Sequence, residues 1–322
     1  MENKLYPLVF KPVYKDYPWG GNRIPEIYRR NVPPGIYAES WEISDHDDGM
    51  SIVSNGPLAG KTFREVLQNQ ADAILGSNVQ GTKFPLLIKL IDARQKLSVQ
   101  VHPNDETAAR FGGEAKTEMW YMLGENDARV WCGLREGVTK ERFLEALDHD
   151  TSGETLRSVP VAKGDAVFVR GGRVHAIDAG CLILEIQQNS NTTYRIYDWG
   201  RMGNDGKPRE LHINQAINVM DWCDREDPLV EQSVITSEDD LLHVEVLSCE
   251  YFRLEKLVYS EPVICALDET SFHALFIAEG TAIVKWDGNA MEVPEGTSVL
   301  VPAILPSYTL GGSATVLRTT VP

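Results

Sequence analysis

The sequence predicts a mainly β protein, built as two antiparallel barrels with a few helices in the N-terminal part. Three observations predict this class. First, short β-rich runs separated by Gly, Pro, Asn and Asp recur along the chain, among them 84–91, 96–101, 119–123, 129–133, 166–170 and 182–187. Second, no strand–helix–strand alternation of the doubly wound kind interrupts them. Third, both halves contain a Gly, a short apolar strand and then a Gly or Pro turn: Gly164 to Gly171, and Gly296 to Pro302.

The helices announce themselves by their caps. Thr62 and Glu65 form a capping box that opens an amphipathic segment carrying Val66, Leu67, Ile74 and Leu75, with Gly76 as its stop. Thr139 caps a second helix with Phe143, Leu144 and Leu147 on one face. A third is expected over 213–219. Residues 224–240 are acidic and weakly patterned, so they read as a linker. Beyond it, strands are expected at 242–248, 251–258, 271–278, 280–286, 298–302 and 314–319. This divides the chain into residues 1–240, with the helices, and an all-β part at 241–322.

Composition narrows the function. The 322 residues include 31 basic and 47 acidic ones, a formal charge of −16 with no block of Lys or Arg. Nucleic acid and anionic membrane are therefore poor partners. The net charge does not exclude a small anionic substrate, because a few placed cations override the mean field locally. No run of about 18 apolar residues exists to cross a membrane, and the first residues lack the apolar core of a signal peptide. Five cysteines, at 132, 181, 223, 249 and 265, are odd in number and widely spaced, with no Cys-x-x-Cys. They read as reduced thiols of a cytoplasmic protein rather than as a cysteine zinc site.

The most informative stretch runs from Leu97 to Asn104. Alternation along a strand puts Ser98, Gln100 and His102 on one face, with Val99 and Val101 on the other. Sixteen residues after His102, Glu118 opens another strand, and His175 follows the Gly171-Gly172 turn. Each residue alone is ordinary: a lone His usually sits in a hydrogen bond, and a lone Glu in water. Together Gln100, His102, Glu118 and His175 supply N and O donors with one carboxylate charge. That set suits a borderline divalent ion, above all Zn²⁺, one per chain. A His, then a Glu, then Gly-x-x-x-His at a turn is how a cupin-type (jelly-roll) barrel assembles a metal site. Here the gap from His to Glu is longer than in simple cupins. The C-terminal half has Pro306 and Ser307 where such a turn His would stand, so 241–322 is expected to be a cupin-like domain without metal.

These residues carry a resemblance. Tyr17 to Gly21, Glu39 to Ser44, Pro85 to Leu90, Leu97 to Asn104, Lys116 to Met119, Gly172 to Ala176 and Asn191 to Arg195 resemble, in order, the type I mannose-6-phosphate isomerase (phosphomannose isomerase) family in its short bacterial form. The resemblance implies a zinc-dependent interconversion of mannose 6-phosphate and fructose 6-phosphate. It implies that Gln100, His102, Glu118 and His175 hold the zinc, that Lys89 and Ser98 lie near the substrate phosphate, and that Lys116 and Arg195 are the active-site cations. Larger relatives have a His two residues before the Pro-Glu of the metal segment, where this chain has Ala115-Lys116-Thr117-Glu118. They have an aromatic residue where it has Ile177, and they carry a helical insertion absent here.

That reaction moves a proton between C1 and C2 of the open-chain sugar through a cis-enediolate. A divalent ion lowers the barrier by polarising the oxygen on which charge develops. The base stays open among Lys116, Arg195 and a metal-bound hydroxide. A lysine acts as a base near neutral pH only when burial and nearby cations lower its pKa; an arginine holds its charge and stabilises anions. A non-catalytic, metal-stabilised cupin that binds sugar phosphates is the competing expectation. An iron oxygenase is disfavoured by the Gln–Glu donor mixture. Trp19 and Trp41 fit either sugar stacking or core packing.

Overall fold

A computed structural model describes residues 4–124, 128–203 and 206–322. Its centre is the strand Leu86–Asp92, buried along its whole length. A strand covered on both faces has no water-facing side, so its sequence reads as a continuous apolar run broken only where a polar partner waits: Leu-Leu-Ile-Lys-Leu-Ile-Asp. It pairs with Glu39–His46 on one side and Leu182–Gln188 on the other. Glu118–Met122 and then Ala166–Val169 extend the sheet beyond Leu182–Gln188. With Val13–Lys15 and Gly49–Met50 the sheet has seven strands.

A second sheet of five strands runs in the order Leu156–Val161, Ala128–Leu134, His175–Ile177, Val99–Val101, Tyr194–Tyr197. The two sheets share one apolar cluster, in which Ile91, Trp120, Val167 and Ile183 of the first meet Val130, Cys132, Val159 and Ile177 of the second. They therefore stack face to face as a jelly-roll sandwich. The outer face of the five-stranded sheet is roofed by two helices, Lys140–Asp148 through Phe143 and Ile213–Val219 through Ala216 and Val219. Thr139 caps the first of these as expected. The helix Phe63–Leu75 has the expected reciprocal Thr62–Glu65 box, with a kink at Gln70. It packs on the outer face of the seven-stranded sheet. One further helix, Asp105–Phe111, is capped by Asn104 directly after the His102 segment.

The eight C-terminal strands, with Leu8–Lys11 and Ile52–Val53, form a ten-stranded sheet around its own core of Leu257, Leu275, Ile277, Val299 and Val316. The expected strands 271–278 and 280–286 are one, His273–Trp286, bent by a bulge between Ile277 and Glu279. Gly280 allows the bend: its φ is +77°, and a Cβ there would stand 2.4 Å from the Ser313 carbonyl oxygen.

The linker expected at 224–240 is not one. Residues Ser233–Glu238 form a strand paired with Leu241–Ser248, so position 240 lies in a hairpin turn. This is an edge strand, and Val234 and Ile235 are 62% and 52% exposed. With neither face buried, no hydrophobic alternation marks it in the sequence. The N-terminal strand Leu8–Lys11 also joins this sheet, against Ser298–Val301. A single apolar cluster, including Ile88, Leu184, Phe63, Leu254 and Leu317, runs through both parts of the chain.

Candidate metal centre and active site

Strand register brings the chemistry together. On the seven-stranded sheet, Trp41, Lys89, Glu185 and Trp120 stand directly opposite one another on four consecutive strands, and Gln187 stands opposite Glu118 one step along. On the facing sheet, Arg195, Gln100, His175 and Cys132 form the matching row. Directly opposed residues share a face, so both rows project into the space between the sheets.

His102, Glu118 and His175 meet there with donor atoms all within 4.8 Å of one another. The Nε2 atoms of His102 and His175 lie 3.5 and 3.4 Å from the two Glu118 oxygens. Gln100 completes the ring, with its amide nitrogen 3.3 Å from His175 Nε2 and its Oε1 accepting from Ser98 Oγ at 3.2 Å. A half-turn of the amide presents the oxygen instead. All three charged or titratable donors are buried. Yet neither ring nitrogen of His102 and neither oxygen of Glu118 has a well-formed hydrogen bond. Buried polar atoms are expensive to leave unpaired. Of these atoms, His102 Nε2 and the two Glu118 oxygens face the same point as His175 Nε2; that convergence fits a divalent cation, and the donor set suits zinc.

The electrostatics agree. Burial pushes the Glu118 carboxyl up to about 7, and the nearby Glu185 charge adds to the shift; a cation would reverse it. Burial holds His175 down at about 4. Burial and then Lys116 hold His102 well below its ordinary range. Both imidazoles are therefore neutral near pH 7, the form that ligates metal. His175 donates from Nδ1 to the Arg173 carbonyl at 2.8 Å, leaving its Nε2 lone pair facing the cluster.

Above the cluster lies a cavity of about 260 Å³. Lys89, Ser98, Gln100, Lys116 and Arg195 all line it, with Tyr17, Trp19, Glu39, Glu185 and Arg209. Lys116 Nζ is 3.0 Å from Glu118 Oε2 and 3.8 Å from Glu185 Oε1. Lys89 is buried between Glu185 at 2.9 Å and Glu39 at 3.6 Å. Burial alone would pull its ammonium down, but Glu185 and then Glu39 hold it above the usual lysine range. Arg195 donates to the Glu210 carbonyl at 2.9 Å, and its buried Nε has no partner. Burial, then Arg209, lowers its pKa. Ile91, Leu97 and Ile177 give the cavity an apolar wall.

The eight sequence-derived residues thus converge on one region. Trp19 lines the cavity, whereas Trp41 is fully buried with its indole on Glu39. Sequence reasoning missed Glu185, Glu39 and Arg209. Glu185 left a signal: a lone charge inside the apolar run Leu182 to Ile186, the same mark that Lys89 leaves in its own strand. Larger crevices of about 680 and 750 Å³ lie elsewhere, along the Phe63–Leu75 helix and beside Tyr28 and Val258. Neither gathers buried polar groups of this kind.

Residues 8–128 match the family model of the type I phosphomannose isomerase catalytic domain, and residues 243–321 that of the mannose-6-phosphate isomerase cupin domain. The mannose-6-phosphate isomerase ManA of Bacillus subtilis is 36% identical over 313 residues, 96% of each chain. The chain belongs to the type I mannose-6-phosphate isomerase family. A putative mannose-6-phosphate isomerase of the same organism, YvyI, is 33% identical over 97% of this chain and 98% of its own. The crystal structure of the Bacillus subtilis mannose 6-phosphate isomerase superposes with a TM-score of 0.89 at 31% identity, covering 97% of this chain and 99% of that one. Within this member of the type I mannose-6-phosphate isomerase family, His102, Glu118 and His175 are the single cluster of three or more potential metal-binding His, Cys, Asp or Glu side chains among the described residues. The cluster lies outside the matched cupin domain at 243–321.

Proposed function

We propose that this chain interconverts mannose 6-phosphate and fructose 6-phosphate, with one zinc ion held by Gln100, His102, Glu118 and His175. The observation that carries the reading is the convergence of the buried His102, Glu118 and His175 donor atoms beneath a cavity lined by four cations and two carboxylates. A local cation excess in a chain of charge −16 suits a dianionic phosphate ester. Two neutral imidazoles, one amide and one carboxylate leave the bound ion a net positive charge. When bound, it supplies a Lewis acid for the sugar carbonyl and so lowers the cost of the cis-enediolate.

The remaining work falls to the chain. Lys116 stands beside Glu118 on the wall of the cavity, and we assign it the proton transfer between C1 and C2. Arg195 faces it across the cavity and stabilises the developing anion with a charge it does not give up. Lys89 is already countered by two carboxylates, so it acts with Ser98 as a directed donor to the substrate rather than as spare charge. The reaction site lies within residues 1–240, and 241–322, together with the strands Ser233–Glu238 and Leu8–Lys11 that join its sheet, form a cupin-like packing domain without metal. No helix among the described residues is long and apolar enough to cross a membrane. All five cysteines are free, which supports a cytoplasmic location.

The test is coupled-assay turnover of mannose 6-phosphate by the zinc-loaded chain, before and after chelation. Turnover that chelator abolishes and zinc restores is expected. Zinc-loaded protein that binds the sugar phosphate without turning it over would leave a binding module in place of the enzyme.

A further inference from the structure

We infer that the buried Arg173–Asp224 pair is a positioning brace that fixes the His175 ring for metal binding; the inference rests on the metal site proposed above. Arg173 contacts His175 through its backbone and the rest of the fold through its side chain. Its carbonyl accepts the His175 Nδ1 proton at 2.8 Å. Its guanidinium is 2% exposed and grips Asp224 in fork geometry, Nη2 to Oδ1 at 2.7 Å and Nε to Oδ2. The remaining nitrogen, Nη1, donates to the Phe168 carbonyl at 2.8 Å.

These contacts tie three parts of the molecule. Phe168 lies in the seven-stranded sheet, His175 in the five-stranded sheet, and Asp224 in the segment that follows the helix Ile213–Val219. That segment is itself stitched down: Asp221 N donates to the Gly172 carbonyl at 2.8 Å, and Phe168 N to the Pro228 carbonyl at 2.8 Å. The same turn reaches the other histidine, since Gly172 N donates to the His102 carbonyl at 2.7 Å. Gly172 takes φ +93° to do so. The turn therefore sets the spacing of both imidazoles, and Asp224 sets the turn.

A buried ion pair contributes little net stability, because desolvation offsets the attraction. What such a pair supplies well is geometry. The hydrogen bond to the non-ligating nitrogen fixes the tautomer and tilt of a metal-binding histidine, and such outer partners are worth about 10–100-fold in metal affinity. Here that partner is a backbone carbonyl, so it is only as fixed as the residue that bears it.

Competition between the metal-free chain and a chromophoric chelator for zinc, read beside urea unfolding, tests this. Asp224→Asn removes the charge that holds the guanidinium and is expected to weaken zinc binding about 10–100-fold. Glu255→Gln is the control. It breaks the comparably buried pair with Arg318, 2.9 Å apart in the C-terminal sheet, and should lower the unfolding midpoint while leaving zinc affinity unchanged. Asp224→Asn with wild-type zinc affinity overturns the inference, as does Glu255→Gln losing as much affinity. Should Asp224→Asn fail to fold, Asp224→Glu keeps the charge while displacing it, with the same loss expected and wild-type affinity equally fatal. A wild-type chain that takes up no ion overturns the metal site itself, an outcome distinct from a wild-type chain that binds one ion as tightly as its Asp224 variants.

Discussion

Glu185 lies directly across from Lys89 on the neighbouring antiparallel strand, with its Oε1 2.9 Å from the lysine ammonium. The same carboxylate faces Lys116 at 3.8 Å and accepts from the Trp120 indole at 2.9 Å. Burial works against its charge, yet Lys89 and then Lys116 hold it below the usual glutamate range. One carboxylate thus keeps two cavity-lining lysines in place, while its field helps raise Glu118.

Glu185→Gln should therefore leave two buried ammonium groups short of a counter-charge. Removing one partner of a buried pair costs about 3–5 kcal/mol. Glu39 still serves Lys89, so a loss near 3 kcal/mol is expected in urea unfolding, with turnover down by at least about tenfold as Lys116 loses its support. An unchanged unfolding midpoint would show that the two lysines do not depend on this carboxylate.

Lys116→Met should separate chemistry from metal binding. Methionine fills the volume of the stem but moves no proton, so turnover should fall by about 10²-fold or more. Zinc content should stay at one per chain, because the four proposed donors are untouched. Near-wild-type turnover would remove Lys116 from the proton transfer.

The C-terminal sheet predicts a pH effect on stability. Burial, and then Arg318, push His273 down to about 3, while its Nδ1 lies 3.0 Å from the Tyr308 hydroxyl. An unfolded histidine titrates near about 6.5. Between those values the unfolded chain binds a proton that the folded chain refuses, so stability falls as pH drops through 6.5 toward 3; above 7 the term vanishes. His273→Asn should flatten the dependence of the urea midpoint on pH in that window. Parallel curves for wild type and variant would show that His273 contributes nothing to it.

Thr62→Ala removes the reciprocal cap on the helix Phe63–Leu75, whose Glu65 amide and side chain both use Thr62. A loss of about 1 kcal/mol is expected. The kcat should not change, because this helix packs on the sheet face turned away from the cavity. A fall in kcat would mean that the helix reaches the site through the sheet.

The capped helices were legible because a cap is local. Thr62, Glu65 and Gly76 lie on one short stretch, and Thr139 sits directly before its helix. The candidate metal donors were legible because strand alternation puts Ser98, Gln100 and His102 on one face, and because their motif resembles a known family. The edge strand Ser233–Glu238 was not legible, since an exposed edge has no buried face to leave a pattern. Nor was the joining of 271–278 to 280–286, because a glycine within a long bent strand looks like a turn.

What the sequence determined by itself is therefore everything set by neighbours within about a turn or along one strand: the β class, the caps, and the faces on which donors lie. Which distant residues meet was decided by tertiary structure alone. Lys89 and Glu185 are 96 positions apart in the chain, and Arg173 and Asp224 are 51 apart. Each half of such a pair is an isolated charge in the sequence. Only sheet register and the stacking of two sheets bring the halves within reach, and with them the low-dielectric enclosure that makes their pairing matter.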